Sequence, residues 1–574
     1  MRFFKSKFGW FMVISLMVLF FSYSDINNEE GVTIKKTGEI SSIETDIWKD
    51  LISGSINERK LNITCNGKTM TTSFGPAVME SDFSISIPYK AAIEVFDCSI
   101  NLYKKKKLVI QRGDTKITAR VGKDFIKVGK EKIDVDYSIY YKDMENGKKE
   151  LYVPMCIFEK GLGATTIYSE STNTTNVSIS GDILPSKYCY KDCGRIGTVA
   201  RDQSDLGTCW AFAAIGALET TLMPEENYRL SVDHMSLQNA YGTNQSDGGQ
   251  YTISWSYLAS WLGPVKEEDD PYGDGISDDS LKAIKHVQEM QIIEKGDLEE
   301  IKKTVFKYGG VQSSIYIDST DSYQRNMFYN EENYSYCYTG KKDPNHEVLI
   351  IGWDDNYSKD NFTTEVEGDG AFVCRNSWGT EFGDEGDFYV SYYDVCIGEY
   401  NEAYTRVDDN DNYDNIYEYD ECGFCGTIGY AQTDSVYAAN IFTANSDEEV
   451  KAIGFYAPQK NTDYRCYICT EFKGSESLSN NLIEVANGHV TNAGYYTVDF
   501  DGVEVTKGKE YAIVIKFSSE EKEKYIAIEC VNSVKKDDSI INGKGFYSPN
   551  GITWDSSSKN NCDICLKAFT DDVS

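Results

Sequence analysis

Residues 203–214 read QSDLGTCWAFAA and open the most clearly patterned helix of the chain. An apolar stripe follows at helical spacing among small residues: Phe212, Ile215, Leu218 and Leu222. Gly207 marks the predicted start, so Cys209 lies in the first turn, where the helix dipole favours negative charge. We expect a lowered thiol pKa there, as a nucleophile at neutral pH requires. The alternative is a buried structural cysteine.

Two motifs further along supply the partners that a cysteine nucleophile needs. His346 begins the run HEVLIIGW, which predicts a buried strand. The imidazole lies at the start of this strand, where it is placed to take the thiol proton. Asn376 lies thirty residues later in the run CRNSWG of residues 374–379, and its side-chain carbonyl can orient the imidazole without adding charge. Trp378 is placed to cover that bond from water. A polar histidine at a strand end is the alternative for His346.

These motifs, taken in order, resemble the papain family of cysteine peptidases: Gln203, the Cys-Trp-Ala-Phe run from Cys209, His346, and Asn-Ser-Trp-Gly from Asn376. Four separated motifs in the right order make the match specific. The resemblance covers about 220 residues of catalytic domain. It implies an α+β fold of two lobes, a helical one with Cys209 and a β-rich one with His346 and Asn376.

The resemblance also implies roles for individual residues. The side chain of Gln203 and the backbone N–H of Cys209 become oxyanion donors, and catalysis passes through an acyl-enzyme on Cys209. Gly248 and Gly249 match a glycine pair that lines the cleft and pairs with substrate backbone, where close approach leaves no room for a side chain. An ordinary loop is the alternative for that pair.

Three features depart from the family pattern. Leu206 stands where many members have a disulfide cysteine. Glu347 stands where a small residue usually lines the pocket for the substrate side chain two before the cut. This predicts a preference for Lys or Arg at that substrate position, through charge pairing, and a solvent-facing Glu347 is the alternative. The usual helical inhibitory propeptide is not evident before Asp182, so a prosegment role for residues 25–181 stays open.

The length and the charge of the chain limit the number of domains and the kinds of partner that it can have. The chain has 574 residues and a formal net charge of -34, which suggests several domains and disfavours nucleic acid and anionic lipid as partners. A basic start followed by the apolar run 8–21 predicts a signal peptide over residues 1–24, because about 14 apolar residues are short for a span of roughly 20. An uncleaved membrane anchor is the alternative. Residues 25–55 are polar and predicted as a spacer.

Residues 56–181 alternate in strand fashion and contain two similar units. Ile87-Pro88 and Val153-Pro154 each open a helix-like stretch that leads into a strand. The second unit resembles the stalk domain named after the copper amine oxidase N-terminus, a small α/β repeat domain of bacterial surface proteins. Nothing in this stalk-like domain implies catalysis or copper.

Residues 182–400 carry the peptidase motifs, and residues 401–416 contain an acidic run that is predicted as a linker. Residues 417–574 hold many short alternating runs with turn signals, which predict a β-sandwich. This last region resembles the lectin-like domain that follows the papain domain in bacterial and archaeal surface peptidases.

The sixteen cysteines indicate an oxidising compartment. Three pairs have C-x-x-C spacing: Cys422 and Cys425, Cys466 and Cys469, Cys562 and Cys565. Export favours disulfides over zinc for these pairs. No metal or cofactor is required for the predicted chemistry, and calcium at the acidic linker or in the lectin-like domain stays open.

The sequence therefore predicts a secreted or surface cysteine endopeptidase that acts on proteins or peptides, with cell-surface glycan or cell wall as further candidate partners. A membrane contact is expected only if the N-terminal segment is uncleaved. One alternative is a surface-binding protein with an inactive peptidase domain. Another is a Cys-His acyltransferase or transglutaminase, which the asparagine of the NSWG motif disfavours because those groups usually orient histidine with aspartate.

Overall fold

The structure is a computed structural model that describes residues 59–80, 82–144, 147–197, 199–317, 327–530 and 543–573. Residues 60–574 cluster as one unit. The predicted signal peptide 1–24 and spacer 25–55 lie outside the described residues. Within the ranges given, no helix is long and apolar enough to cross a membrane.

The N-terminal domain is a mixed α/β unit, as predicted. Its elements are β1 (Arg59–Cys65), β2 (Lys68–Met70), β3 (Ala77–Met79), β4 (Ile85–Pro88), α1 (Tyr89–Phe96), β5 (Ser99–Tyr103), β6 (Lys107–Arg112), β7 (Thr115–Arg120), β8 (Phe125–Val128), β9 (Glu131–Asp134), β10 (Tyr140–Asp143), β11 (Lys149–Pro154), α2 (Met155–Leu162), β12 (Thr165–Ser169) and β13 (Thr174–Ser178). One sheet has the order β10-β11-β4-β3-β1-β13-β12, and β5 to β9 form a separate meander.

The two similar units of the sequence occupy matching places in this domain. Pro88 and Pro154 each end a strand and precede a helix, where a missing N–H costs no hydrogen bond. Strands β4 and β11 pair antiparallel, and the rings of Phe96 and Phe158 stack with centroids 3.9 Å apart. The two helices therefore pack on each other in one shared core.

The peptidase region combines helices and strands. Its elements are β14 (Lys187–Cys189), α3 (Tyr190–Cys193), α4 (Cys209–Leu222), α5 (Val232–Leu237), α6 (Tyr251–Ala259), β15 (Lys285–Ile292), α7 (Leu298–Lys307), β16 (Val311–Ile315), β17 (Tyr329–Asn330), β18 (Ser335–Tyr336), β19 (His346–Asp354), β20 (Ala371–Arg375), β21 (Asp387–Ser391) and β22 (Asn401–Asp409). Helix α4 crosses strand β19 closely, since a Cβ at Gly216 would lie 2.9 Å from a methyl of Leu349. This packing sets the start of α4 beside the start of β19.

The C-terminal region is the predicted β-sandwich. Its elements are β23 (Asn415–Tyr417), β24 (Gly426–Ala431), β25 (Ser435–Thr443), β26 (Glu448–Ala457), β27 (Thr462–Cys469), α8 (Ser477–Asn480), β28 (Ile483–Val490), β29 (Ala493–Val505), β30 (Glu510–Ser518), β31 (Glu523–Cys530), β32 (Gly545–Ser548), β33 (Asp555–Ser556), β34 (Cys562–Ile564) and β35 (Leu566–Asp572). A sheet of order β28-β27-β30-β25-β32-β33 faces strands β29, β26, β35 and β23. Alternating residues of both layers, such as Ile453 and Ile513, share one core.

One sheet runs through both the peptidase region and the sandwich. Strand β15 pairs with β22 on one side and with β29 on the other, where Met290 lies opposite Tyr495. The prediction of an acidic linker is therefore wrong for residues 401–409, because these residues form strand β22 inside this sheet. Residues 401–407 are all buried, and the polar residues among them hid the strand in the sequence.

The N-terminal domain contacts the peptidase region through polar pairs. Lys307 and Asp97 form an ion pair at 2.9 Å, Tyr103 donates to the carbonyl of Cys193 at 2.7 Å, and Tyr89 donates to Glu225. None of these contacts involves Cys209, His346 or Asn376.

The two members of each C-x-x-C pair face different surroundings. Cys466 and Cys469 lie three apart on one strand, so their side chains leave opposite faces of the sheet and enter different cores. Cys562 and Cys565 are divided between two cores in the same way. In the third pair, the sulfur of Cys422 contacts the carbonyl of Ala240 in the peptidase region, and the sulfur of Cys425 contacts that of Cys530 on strand β31. The strand geometry of β27 thus directs the sulfurs of Cys466 and Cys469 apart, so the C-x-x-C spacing does not predict a disulfide within that pair.

Candidate active site

The candidate nucleophile begins helix α4, as the sequence predicted. Cys209 is its first residue and Thr208 the residue before it. The hydroxyl of Thr208 lies 2.7 Å from that of Tyr272, which donates to the carbonyl of Gln203 at 2.9 Å. Tyr272 thus braces the loop that leads into the helix. The sequence did not reveal this role, because Tyr272 is distant in the chain and lies in no motif.

Strand pairing brings the candidate base and its orienting group together. His346 is the first residue of β19, and Asn376 directly follows β20, which pairs antiparallel with β19. The Nε2 atom of His346 lies 2.8 Å from Oδ1 of Asn376. The side-chain carbonyl of Asn376 is an acceptor, so Nε2 carries the proton and Nδ1 is the basic nitrogen of the neutral ring.

Trp378 lies over this bond. Its ring centroid is 4.9 Å from that of His346, with the ring planes tilted by 34°. His346 and Asn376 are 6% and 2% exposed, so the bond between them is shielded from water as the sequence suggested. Shielding strengthens a hydrogen bond because water no longer competes for the partners.

Gln203 is fixed to the segment that carries Asn376. Its backbone N–H donates to the carbonyl of Ser377 at 2.8 Å, and the Ser377 hydroxyl donates to its Oε1 at 2.6 Å. One N–H of the Gln203 amide donates to the carbonyl of Leu206 at 2.7 Å, which leaves the second N–H for a ligand. The role of Ser377 was missed in the sequence, although it lies inside the NSWG motif.

Burial shifts the pKa values of the Cys209 thiol and the His346 imidazole. Burial raises the pKa of the Cys209 thiol to about 11, and the carboxylate of Glu347 adds to the rise, whereas the backbone N–H of Glu347 opposes it by hydrogen bonding. Burial lowers the pKa of His346 to about 4 against the hydrogen bond with Asn376. Burial and a negative neighbour therefore act against the lowering of the Cys209 pKa that the helix start predicts. A thiolate alone or an imidazolium alone is disfavoured at this site.

The two glycines lie against the nucleophile loop. A Cβ at Gly249 would come within 2.4 Å of the Trp210 indole nitrogen, and a Cβ at Gly207 would come within 2.8 Å of the backbone nitrogen of Gly248. Gly248 has a φ of +78°, in the left-handed region that favours glycine. The glycine pair thus flanks Cys209 closely.

Glu347 interacts with a second carboxyl, that of Glu402. Glu347 is partly buried and accepts a hydrogen bond from Gln312, which holds its side chain in place. Burial raises the pKa of Glu347 to about 7. Glu402 is 1% exposed, and burial, followed by the charge of Glu347, raises its pKa well above its usual range. The sequence missed Glu402, since it lay in the predicted linker.

The acidic residues at the end of β22 contact protein cations. Lys285 contacts Asp409 at 2.6 Å, and Arg406 contacts Asp408 at 2.7 Å. Across the described ranges, no group of three or more His, Cys, Asp or Glu side chains could hold a metal ion. Asp408 and Asp409 are therefore engaged in ion pairs within the protein.

Comparison with known families identifies three domains in this order. The copper amine oxidase N-terminal domain matches residues 64–177, the papain family cysteine protease matches residues 184–405, and the lectin-like domain matches residues 416–570. The order is the one that the sequence motifs predicted.

Two insect peptidases are among the relatives. A cathepsin L-like peptidase of Aedes aegypti is 31% identical over 210 residues, which are 35% of this chain and 58% of the relative. Cathepsin L1 of Drosophila melanogaster is 29% identical over 220 residues, 37% of this chain and 55% of the relative. The chain thus spans under two thirds of the length of these relatives.

Solved structures of a clostridial protein match over a longer stretch. The cysteine protease Cwp84 after propeptide cleavage superposes with a TM-score of 0.59 and 25% identity, over 67% of this chain and 99% of the other. The cysteine protease and lectin-like domains of Cwp84, a surface layer associated protein of Clostridium difficile, superpose with a TM-score of 0.59 and 24% identity, over 68% and 89%. The shared fold therefore includes both the peptidase and the lectin-like domains.

Proposed function

Because the chain carries a papain family cysteine protease domain between a copper amine oxidase N-terminal domain and a lectin-like domain, we propose that it is a cysteine endopeptidase. The observation that carries the proposal is the imidazole of His346, held by Asn376 at 2.8 Å on the strand whose next residue, Glu347, hydrogen-bonds the Cys209 sulfur through its backbone N–H. Gln203 completes the site as a donor for the oxyanion.

The first chemical step moves one proton and forms one bond. Nδ1 of His346 takes the thiol proton of Cys209, and the sulfur attacks the carbonyl carbon of the substrate peptide bond. Burial disfavours each charge alone, whereas this transfer creates both charges side by side, where they stabilise each other. The carbonyl oxygen becomes an oxyanion that accepts from Gln203 and from the backbone N–H of Cys209.

The second stage releases two products. His346 returns its proton to the leaving amine as the carbon–nitrogen bond breaks, which leaves a thioester on Cys209. A water molecule then gives a proton to His346, its oxygen attacks the thioester, and the acid product leaves as the thiol is restored. Asn376 holds the imidazole in one orientation for both transfers.

A basic side chain is the proposed preference two residues before the cut. Glu347 lies next to the Cys209 thiol, as its effect on that pKa requires, and its charge also raises the pKa of the buried Glu402. An ionised Glu347 carboxylate attracts a guanidinium or ammonium group of the substrate. Gly248 and Gly249 are the proposed backbone partners of the bound peptide.

The proposed location is outside the cell. The predicted N-terminal signal and the likeness to a surface layer associated protein support a secreted or surface-attached protein. The lectin-like domain supports contact with glycan or cell wall. Since β15 joins the two regions in one sheet, a glycan held by the sandwich would keep the cleft at a fixed distance from the surface.

Labelling with an epoxide inhibitor of cysteine peptidases tests the proposal. We expect one equivalent of adduct on Cys209, located by peptide mass spectrometry, and none after His346→Ala, because the imidazole activates the thiol. A chain that binds glycan but leaves Cys209 unlabelled would instead be an inactive surface-binding protein. Incorporation of amines into protein acceptors in place of hydrolysis would indicate a transferase.

A further inference from the structure

Two thiols meet where the lectin-like domain begins. The Sγ atoms of Cys425 and Cys530 lie 3.8 Å apart, and the backbone N–H of Cys530 points at the Cys425 sulfur at 3.1 Å. Cys425 precedes β24 and Cys530 ends β31, and these strands pair antiparallel from Gly426 opposite Ile528. The backbone N–H of Cys425 donates to the carbonyl of Ile528 at 3.1 Å. Main-chain hydrogen bonds thus hold both residues in register.

Neighbouring cysteines direct their sulfurs elsewhere. Cys562 lies opposite Cys530 on β34, but its sulfur contacts the carbonyl of Ser557 at 3.5 Å. Cys422 contacts the carbonyl of Ala240 in the peptidase region at 3.6 Å. The contact of 3.8 Å between the sulfurs of Cys425 and Cys530 is the observation that singles out this pair.

We propose that Cys425 and Cys530 are an oxidation site that forms a disulfide. A disulfide bond measures about 2.05 Å, so modest side-chain rotation brings the sulfurs from contact into bonding distance. Each thiol gives up its proton, the S–S bond forms, and the two electrons reduce a small disulfide oxidant to two thiols. Both cysteines are partly buried, which leaves them within reach of such an oxidant.

The bond would fasten the segment by which the lectin-like domain meets the peptidase region. Tyr241 donates to the carbonyl of Cys422 at 2.8 Å, and a Cβ at Gly423 would lie 3.0 Å from the hydroxyl of Tyr456 and 3.4 Å from Ser256. This segment thus already packs against both regions. Linking its end to β31 closes a loop of 105 residues, which restricts the unfolded chain.

The test uses the full chain with Cys209→Ala, so that neither self-digestion nor the nucleophile interferes. The chain is incubated with oxidised glutathione, alkylated in denaturant and digested with trypsin and chymotrypsin. Cleavage after Phe424 separates Cys422 from Cys425 in the digest. We expect a linked peptide pair that contains Cys425 and Cys530, and two fewer alkylated thiols than in the reduced chain.

Variants make the assignment specific. Cys425→Ser and Cys530→Ser should each abolish the linked peptide and the rise in melting temperature on oxidation, whereas Cys562→Ser should leave both in place. A peptide that links Cys530 to Cys562, a link between Cys422 and Cys425, or full alkylation after oxidation would each overturn the proposal. Because Cys209 is absent throughout, none of these outcomes depends on peptidase activity.

Discussion

The imidazole of His346 and the side chain of Asn376 are joined by a hydrogen bond of 2.8 Å. The same Asn376 oxygen accepts the backbone N–H of Ser377 at 2.8 Å, so the acceptor is itself held in place. The bond fixes Nε2 as the protonated nitrogen and leaves Nδ1 as the basic nitrogen of the ring. The orientation of the His346 ring thus depends on Asn376.

Replacing Asn376 with Ala should lower kcat/KM by about 10–100-fold, because a hydrogen bond to a group that becomes charged contributes about 1.5–3 kcal/mol. The measurement is steady-state hydrolysis of a fluorogenic peptide. Asn356→Ala, at an exposed position, serves as the control and should behave as the parent chain. An Asn376→Ala chain that keeps parental kcat/KM would show that the imidazole needs no such partner.

Ser377→Ala should lower kcat by about 2–10-fold with KM little changed, because one neutral hydrogen bond that positions Gln203 is lost. Gln203→Ala should cost more, about 10²–10³ in rate, since it removes an oxyanion donor itself. The diagnostic measurement is the double variant. If Ser377 acts through Gln203, Ser377→Ala adds nothing in the Gln203→Ala background, and an undiminished effect there would contradict that role.

The preference for Arg over Leu two residues before the cut should depend on pH. The pKa of Glu347 is raised to about 7 by burial, so this carboxyl is mainly neutral below that pH and charged above it. The ratio of kcat/KM for matched Arg and Leu peptides should therefore increase from about pH 6 to about pH 8. Glu347→Gln should flatten the ratio. A ratio that rises equally in the variant would place the selectivity on another group.

Stability should fall as pH rises because of Glu94 in the N-terminal domain. Burial, followed by the charge of Glu289, raises the pKa of Glu94 to about 8, with Lys307 and Arg406 opposing. The folded chain then binds more protons than the unfolded chain between the ordinary value of 4.5 and about 8, so the free energy of unfolding decreases with rising pH in that window.

Glu94→Gln should reduce this decrease, and the measurement is the denaturation midpoint in urea at several pH values. Asp114→Asn, which changes an exposed carboxyl, provides the control and should leave the slope unaltered. An unchanged pH dependence in Glu94→Gln would show that Glu94 does not control the pH dependence of stability.

The sequence predicted the site best where a residue's role follows from its own motif. Cys209 begins the predicted helix, and His346 begins the predicted strand. Residues that act through distant partners carried no such signal. Tyr272 braces the nucleophile loop from another part of the chain. The position of Glu402 near the site depends on the pairing of β22 with β16, which the sequence did not predict.

Local patterns predicted least where the outcome depends on the rest of the fold. The C-x-x-C spacing left the pairing of the cysteines open, and on strand β27 the side chains of Cys466 and Cys469 leave opposite faces. The helix dipole suggested a lowered pKa for Cys209, whereas burial, which raises that pKa, depends on the residues packed around the thiol. Acidic composition suggested a linker at residues 401–416, although residues 401–409 form a strand whose first seven residues are buried.

Hydrolysis of a fluorogenic dipeptide library by the full chain, beside Cys209→Ala, tests the central claim most directly. Cys65→Ala, which removes a partly buried cysteine of the N-terminal domain, is the matched control. We predict hydrolysis by the parent chain and by Cys65→Ala under reducing conditions, highest for peptides with Arg or Lys two residues before the cut, and none by Cys209→Ala. Equal hydrolysis by the parent chain and Cys209→Ala would contradict the assignment of Cys209 as the nucleophile.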